Sequence, residues 1–117
     1  MSETIPDPTA FTGRIGHVHL KVADLDRAVG FYRDVLGLEE QPRVGGKAAF
    51  LSFDGYHHHL GLNTWESAGA TPPPEGHTGL YHAAFLNPDR ATLGAVVARA
   101  IAAGVEIDGA SDHGVSE

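Results

Sequence analysis

The chain has 117 residues, is 42% hydrophobic, carries a formal charge of −7 with its histidines neutral, and has no cysteine. Length and apolar content fit one folded domain and exclude disorder throughout. The acidic balance, with only eight scattered Lys and Arg, excludes the basic stripe of a nucleic-acid binder. Without thiols there are no disulfides, and any bound metal must rest on imidazole, carboxylate or water.

In chain order, residues 1–12 read as a flexible arm, because Pro6 and Pro8 interrupt regular structure. This polar opening is not expected to be a secretory leader. No apolar run reaches the ~20 residues of a membrane helix, so no membrane partner is expected. The lack of cysteine fits a reducing cytoplasm, the expected location.

Arg14 to Val22 alternates with period two and predicts a strand. Ile15, His17, His19 and Lys21 share one face; Val18, Leu20 and Val22 share the other, which should enter the core. Asp24 is a helix N-cap candidate, and Leu25, Ala28, Val29, Tyr32, Val35 and Leu36 recur at helical spacing before the stop at Gly37. Leu38 to Val44, Ala48 to Phe53 and Tyr56 to Thr64 predict three more strands, separated by turns at Gly45-Gly46 and Asp54-Gly55. Residues 66–78, with Pro72-Pro73-Pro74, form a linker.

The pattern then restarts. Gly79 to Leu86 predicts a strand. A helix follows, entered at Pro88, with Leu93, Val96, Val97, Ala100 and Ile101 as its buried stripe and Gly104 as its stop. Val105 to Ile107 predicts a further strand before a turn-rich loop. The domain at 13–117 thus holds a strand-helix-three-strand module at about 14–65 and part of a second at 79–117.

Histidine is the residue type that points to chemistry. There are eight, three of them consecutive at His57-His58-His59. His17 and His82 occupy matching strands of the two units, where they can converge on one metal ion. His57 and His59 share one strand face; His58 shares the other with Leu60 and Leu62, and either face can border a cavity. His113 lies in the loop Asp112-His113-Gly114. An imidazole of ordinary pKa, ~6.5, suits proton transfer or hydrogen-bond donation. Glu66, Asp112 and Glu117 are the carboxylates that could be offered as makeshift ligands.

The stretch Gly16-His17-Val18-His19-Leu20-Lys21-Val22 through Phe31-Tyr32-Arg33-Asp34-Val35-Leu36-Gly37-Leu38 resembles the opening of the vicinal oxygen chelate superfamily. That superfamily holds glyoxalases, bleomycin resistance proteins and extradiol dioxygenases. The runs His57-His58-His59-Leu60-Gly61-Leu62-Asn63-Thr64-Trp65, Gly79-Leu80-Tyr81-His82 and Gly109 to Glu117 look most like its catechol 2,3-dioxygenase branch.

The resemblance implies an α+β fold in which tandem βαβββ modules form a curved mixed sheet with helices outside. By this likeness the second module is expected to be incomplete in this sequence. It also implies metal ligation by His17 and His82, catalytic roles for His59 and His113, and substrate contact by His57, His58 and Leu60. The cofactor implied is a divalent metal, Fe(II) first, with Mn, Ni or Zn as alternatives. The partners implied are a small aromatic substrate, dioxygen and a second copy in a homodimer.

The activity implied is extradiol ring cleavage of a catechol. A glyoxalase-type lyase or isomerase and a metal-free drug-binding module are the alternatives. The family's carboxylate ligand follows an Asp-Pro-Asp-Gly turn that this sequence does not contain, so further residues or another subunit are expected to supply it. At the lyase branch's extra ligand position stands Leu60, which cannot bind metal; a one-residue shift would place His59 there.

Overall fold

The computed structural model describes residues 7–43 and 45–108. Strand β1 (Val18–Lys21) is followed by helix α1 (Leu25–Gly30), β2 (Glu39–Glu40), β3 (Ala48–Ser52), β4 (Leu60–Asn63) and helix α2 (Arg90–Ala102). The sheet order is β1-β4-β3-β2. β1 runs parallel to β4, while β3 pairs antiparallel with both β4 and β2. This open mixed sheet with two helices is a partial form of the α+β architecture anticipated above.

The core lies on the Leu20 and Val22 side of β1, the side that alternation predicts. Leu60 and Leu62 of β4 and Ala49 and Leu51 of β3 pack against Leu25 and Val29 of α1, with Leu38 closing one side and Leu20 and Val22 at the margin. Leu51 and Leu62 are fully buried. Each contributes about 1.5–3 kcal/mol relative to an exposed side chain.

The Asp24 carboxylate accepts the Arg27 N–H at 3.1 Å, which satisfies a donor that the start of α1 would otherwise leave unpaired. After Gly30 the helix widens into a π-helical turn, Phe31–Val35, and the Leu36 N–H reaches back to the Phe31 carbonyl at 3.2 Å. Gly37, at φ 89°, ends the segment in the left-handed region.

Four expectations need correction. The strand expected at Tyr56–Thr64 begins only at Leu60, and that expected at Leu38–Val44 is reduced to Glu39–Glu40. Gly79–Leu86 and Val105–Ile107 are not strands. Alternation alone does not make a strand, because the backbone also needs a ladder partner, and among the described residues neither segment has one.

Helix α2 begins after Asp89 rather than at Pro88; Asp89 and Thr92 form a reciprocal capping box. Of its expected buried stripe, Ala100 is buried, Leu93 and Val96 are half-buried, and Val97 and Ile101 are exposed. The helix is held to the first unit by Arg99 Nε, which donates to the Val35 carbonyl at 2.9 Å, and Phe85 just before it lies against Tyr32. No helix among the described residues is long and apolar enough to cross a membrane.

Candidate functional site

The parallel pairing of β1 with β4 sets His19 beside Gly61, and β3 sets Phe50 beside Gly61 from the other side. These positions lie on the face opposite the leucine core. A β-carbon at Gly61 would come within 2.7 Å of His19 Nδ1. Glycine is therefore what lets the His19 ring lie across β4.

A run of rings covers this open face. His17 and His58 have centroids 4.4 Å apart, and His58 lies 5.0 Å from Phe50. Phe50 meets His19 edge-on at 6.0 Å, and His19 lies 5.8 Å from Trp65. Their flat polarizable surfaces suit contact with a planar ligand. Burial pushes the His58 imidazole below its ordinary pKa, and the neighbouring His17, His57, His19 and His59 reinforce that shift. His58 therefore stays neutral at pH 7.

The histidine triplet is not in a strand, so its faces do not alternate. It bends into β4. His58 turns to the ring-covered face. His57 sits between Tyr56 and His58, and its Nδ1 lies 2.9 Å from His58 Nδ1. His59 stacks flat on Phe53 at 3.7 Å and accepts the Phe53 N–H on Nδ1 at 3.2 Å. With Nδ1 engaged, neutral His59 carries its proton on Nε2. It thus offers a donor, while its basic nitrogen is occupied.

The remaining sequence candidates fall elsewhere. Leu60 is 3% exposed in the core cluster, so it cannot touch a ligand on the opposite face. His82 is exposed, outside any strand, and its ring lies against the exposed Tyr81. No described contact brings it to His17. His113, Asp112 and Glu117 lie outside the described residues. Glu66 pairs with Lys21 at 3.3 Å.

The implied divalent metal can be tested against this donor set. Two imidazoles adjoin at His17 and His58, but no carboxylate joins them. Among the described residues no group of three or more His, Cys, Asp or Glu is placed to hold an ion. These residues do not by themselves form the two-histidine, one-carboxylate set of non-haem iron oxygenases. His19 and Trp65 are the parts of this face that sequence reasoning undervalued. The signal was Gly61, a residue without a side chain in the middle of a strand.

The family model described as Glyoxalase/Bleomycin resistance protein/Dioxygenase superfamily matches residues 14–117. The chain is 42% identical over 95 residues to a catechol-2,3-dioxygenase of Bacillus subtilis (strain 168), covering 80% of this chain and 33% of that protein. It is 35% identical over 51 residues to a manganese-dependent 2,3-dihydroxybiphenyl 1,2-dioxygenase of Geobacillus genomosp. 3, covering 44% of this chain and 16% of the relative. The chain thus spans a third or less of the length of these relatives. The crystal structure of a lactoylglutathione lyase from Agrobacterium tumefaciens superposes with a TM-score of 0.57 at 26% identity, covering 89% of this chain and 77% of that one.

Proposed function

Because the chain belongs to the Glyoxalase/Bleomycin resistance protein/Dioxygenase superfamily, we propose that it acts in extradiol-type cleavage of a catechol-like aromatic by dioxygen. The observation that carries this reading is the 42% identity to a catechol-2,3-dioxygenase across most of the chain. The ring-covered face formed by His17, His58, Phe50, His19 and Trp65 supports it, since a planar diol can lie against such a surface.

In this reading the reaction depends on a divalent metal, with Fe(II) or Mn(II) the ions to test first. His17 and His82 are the ligands proposed from this chain; the carboxylate must come from outside the described residues. A homodimer in the cytoplasm is part of the same proposal. Neutral His58 can accept a proton from a substrate hydroxyl, and His59 can donate from Nε2. Phe50 and Trp65 offer the flat surfaces against which the ring would lie.

The test is oxygen uptake and yellow ring-cleavage product from catechol after anaerobic loading with Fe(II) or Mn(II), comparing wild type with His17→Ala. Turnover abolished by the substitution supports the reading. Loaded protein that consumes no oxygen with any catechol sinks it. The likeness to a lactoylglutathione lyase structure favours a second reading, a metal-dependent lyase, which a hemithioacetal isomerisation assay on the same samples would reveal.

A further inference from the structure

We propose that His19 and Trp65 form a specificity pair, which favours diols bearing a second flat, apolar group on the ring edge remote from the hydroxyls; this rests on the ring-cleavage reading above. The register of the sheet supplies the direction. β1 runs parallel to β4, with Val18 beside Leu60 and Lys21 beside Asn63. His17 and His58 therefore lie at one end of the open face, and Trp65, which follows the last residue of β4, lies toward the other. His19 stands between these ends, 5.8 Å from Trp65. In extended chain, residues two apart such as His17 and His19 are separated by about 6.6 Å, roughly the span of one aromatic ring. A diol held at His17 and lying against this face covers that step with its own ring. Only a substituent on its far edge reaches His19 and Trp65.

The far end suits a flat apolar group. The His19 and Trp65 rings are both exposed and are tilted by only 35° from one another, so one flat group can rest across the two. Phe50 backs His19 edge-on at 6.0 Å. Gly61 keeps the way clear: a β-carbon there would meet the His19 imidazole at 2.7 Å and lift it off β4, into the path from His17 to Trp65. Lys21, on the His19 side of β1, and Glu66, next to Trp65, pair with each other at 3.3 Å. That end therefore offers no net charge to attract an ionic substituent.

The test measures binding without turnover. The whole chain, metal-free and under nitrogen, is dialysed to equilibrium against catechol, 4-phenylcatechol and 3,4-dihydroxybenzoate, and the readout is the ratio of dissociation constants. Wild type should bind 4-phenylcatechol at least about threefold more tightly than catechol, the scale of one ring contact, with no such gain for 3,4-dihydroxybenzoate. Trp65→Leu and Gly61→Ala should each bring that preference below about twofold, whereas Trp65→Phe, which keeps a flat ring, should retain it. Trp65 is exposed, so its variants should fold normally. A preference unchanged in Trp65→Leu overturns the proposal. So does a wild type that binds neither diol or prefers neither, and so does an equal gain for the carboxylate, which would assign selection to Lys21. Catechol cleaved without this preference would refute the specificity pair and leave the reaction standing; the preference without ring cleavage would do the reverse.

Discussion

Replacing Gly61 by alanine tests the close approach on which the open face depends. The new β-carbon would stand 2.7 Å from His19 Nδ1, 3.0 Å from Cε1 and 3.1 Å from Cγ. Comfortable carbon contacts are about 3.5–4.0 Å, so the imidazole must move on the order of 1 Å. Overpacking that cannot relax costs about 1–3 kcal/mol. His19 is exposed and can swing, which places Gly61→Ala at the low end of that range. Against it stands a gain of about 0.5–1 kcal/mol from removing a glycine inside a strand. In wild type these terms nearly cancel or leave a small destabilisation. In a His19→Ala background only the gain remains. The coupling energy of the double-mutant cycle should be about 1 kcal/mol or more. Urea unfolding followed by the fluorescence of Trp65, the chain's one tryptophan, measures it. Trp65 also touches His19, so the native emission should shift in Gly61→Ala alone. If alanine at 61 stabilises equally in both backgrounds, His19 does not lie across β4.

Leu51→Ala, at a fully buried site, should cost about 2–5 kcal/mol in denaturant unfolding; a loss below 1 kcal/mol on that scale would contradict the core assignment. Burial and neighbouring histidines lower the pKa of His58 from its ordinary 6.5, so between that value and its folded-state value the unfolded chain binds the extra proton. Its contribution to stability is therefore complete above pH 6.5 and is lost as pH falls through the folded-state value. Melting curves in a metal chelator should show this decline, and His58→Asn should flatten it. Arg99→Met keeps the aliphatic stem but removes the bond to the Val35 carbonyl; amide exchange across α2 should quicken while β3 and β4 stay protected. Unchanged exchange would mean that the helix is held by other contacts.

Much of the first unit was legible because its signals are local. Alternation around Val18 and Leu20 named the buried face of β1, and Asp24 named the start of α1. Asp54-Gly55 marked a turn in which both residues have positive φ, 57° and 71°. What escaped depends on partners or on small backbone choices. The π-helical turn after Gly30 preserves the apolar spacing closely enough to pass for α-helix. The triplet His57-His58-His59 looks like the start of a strand, but the turn delivers the chain to β3 only near Leu60.

Gly79–Leu86 carries a strand's pattern but has no ladder partner among the described residues. For the site, His17 and the triplet were visible as residue types. The union of His17 with His58 follows from the parallel register, which no single segment encodes. Leu60, given a substrate contact by the resemblance, lies in the core instead; counting the triplet as extended put His58 on the side of Leu60, whereas the bend turns it to the opposite face.

The sheet joins its earliest strand to its latest. β3 and β4 can zip up as neighbours in the chain, but β1 must wait for β4 and cross over by way of α1 before it can dock. Non-local closure of this kind slows folding. Contacts made only at that final docking, those of His17 and His19 included, should govern how fast the native state comes apart more than how fast it forms. Ligands gripping the ring-covered face would then act as a latch on β1, lengthening the lifetime of the folded chain.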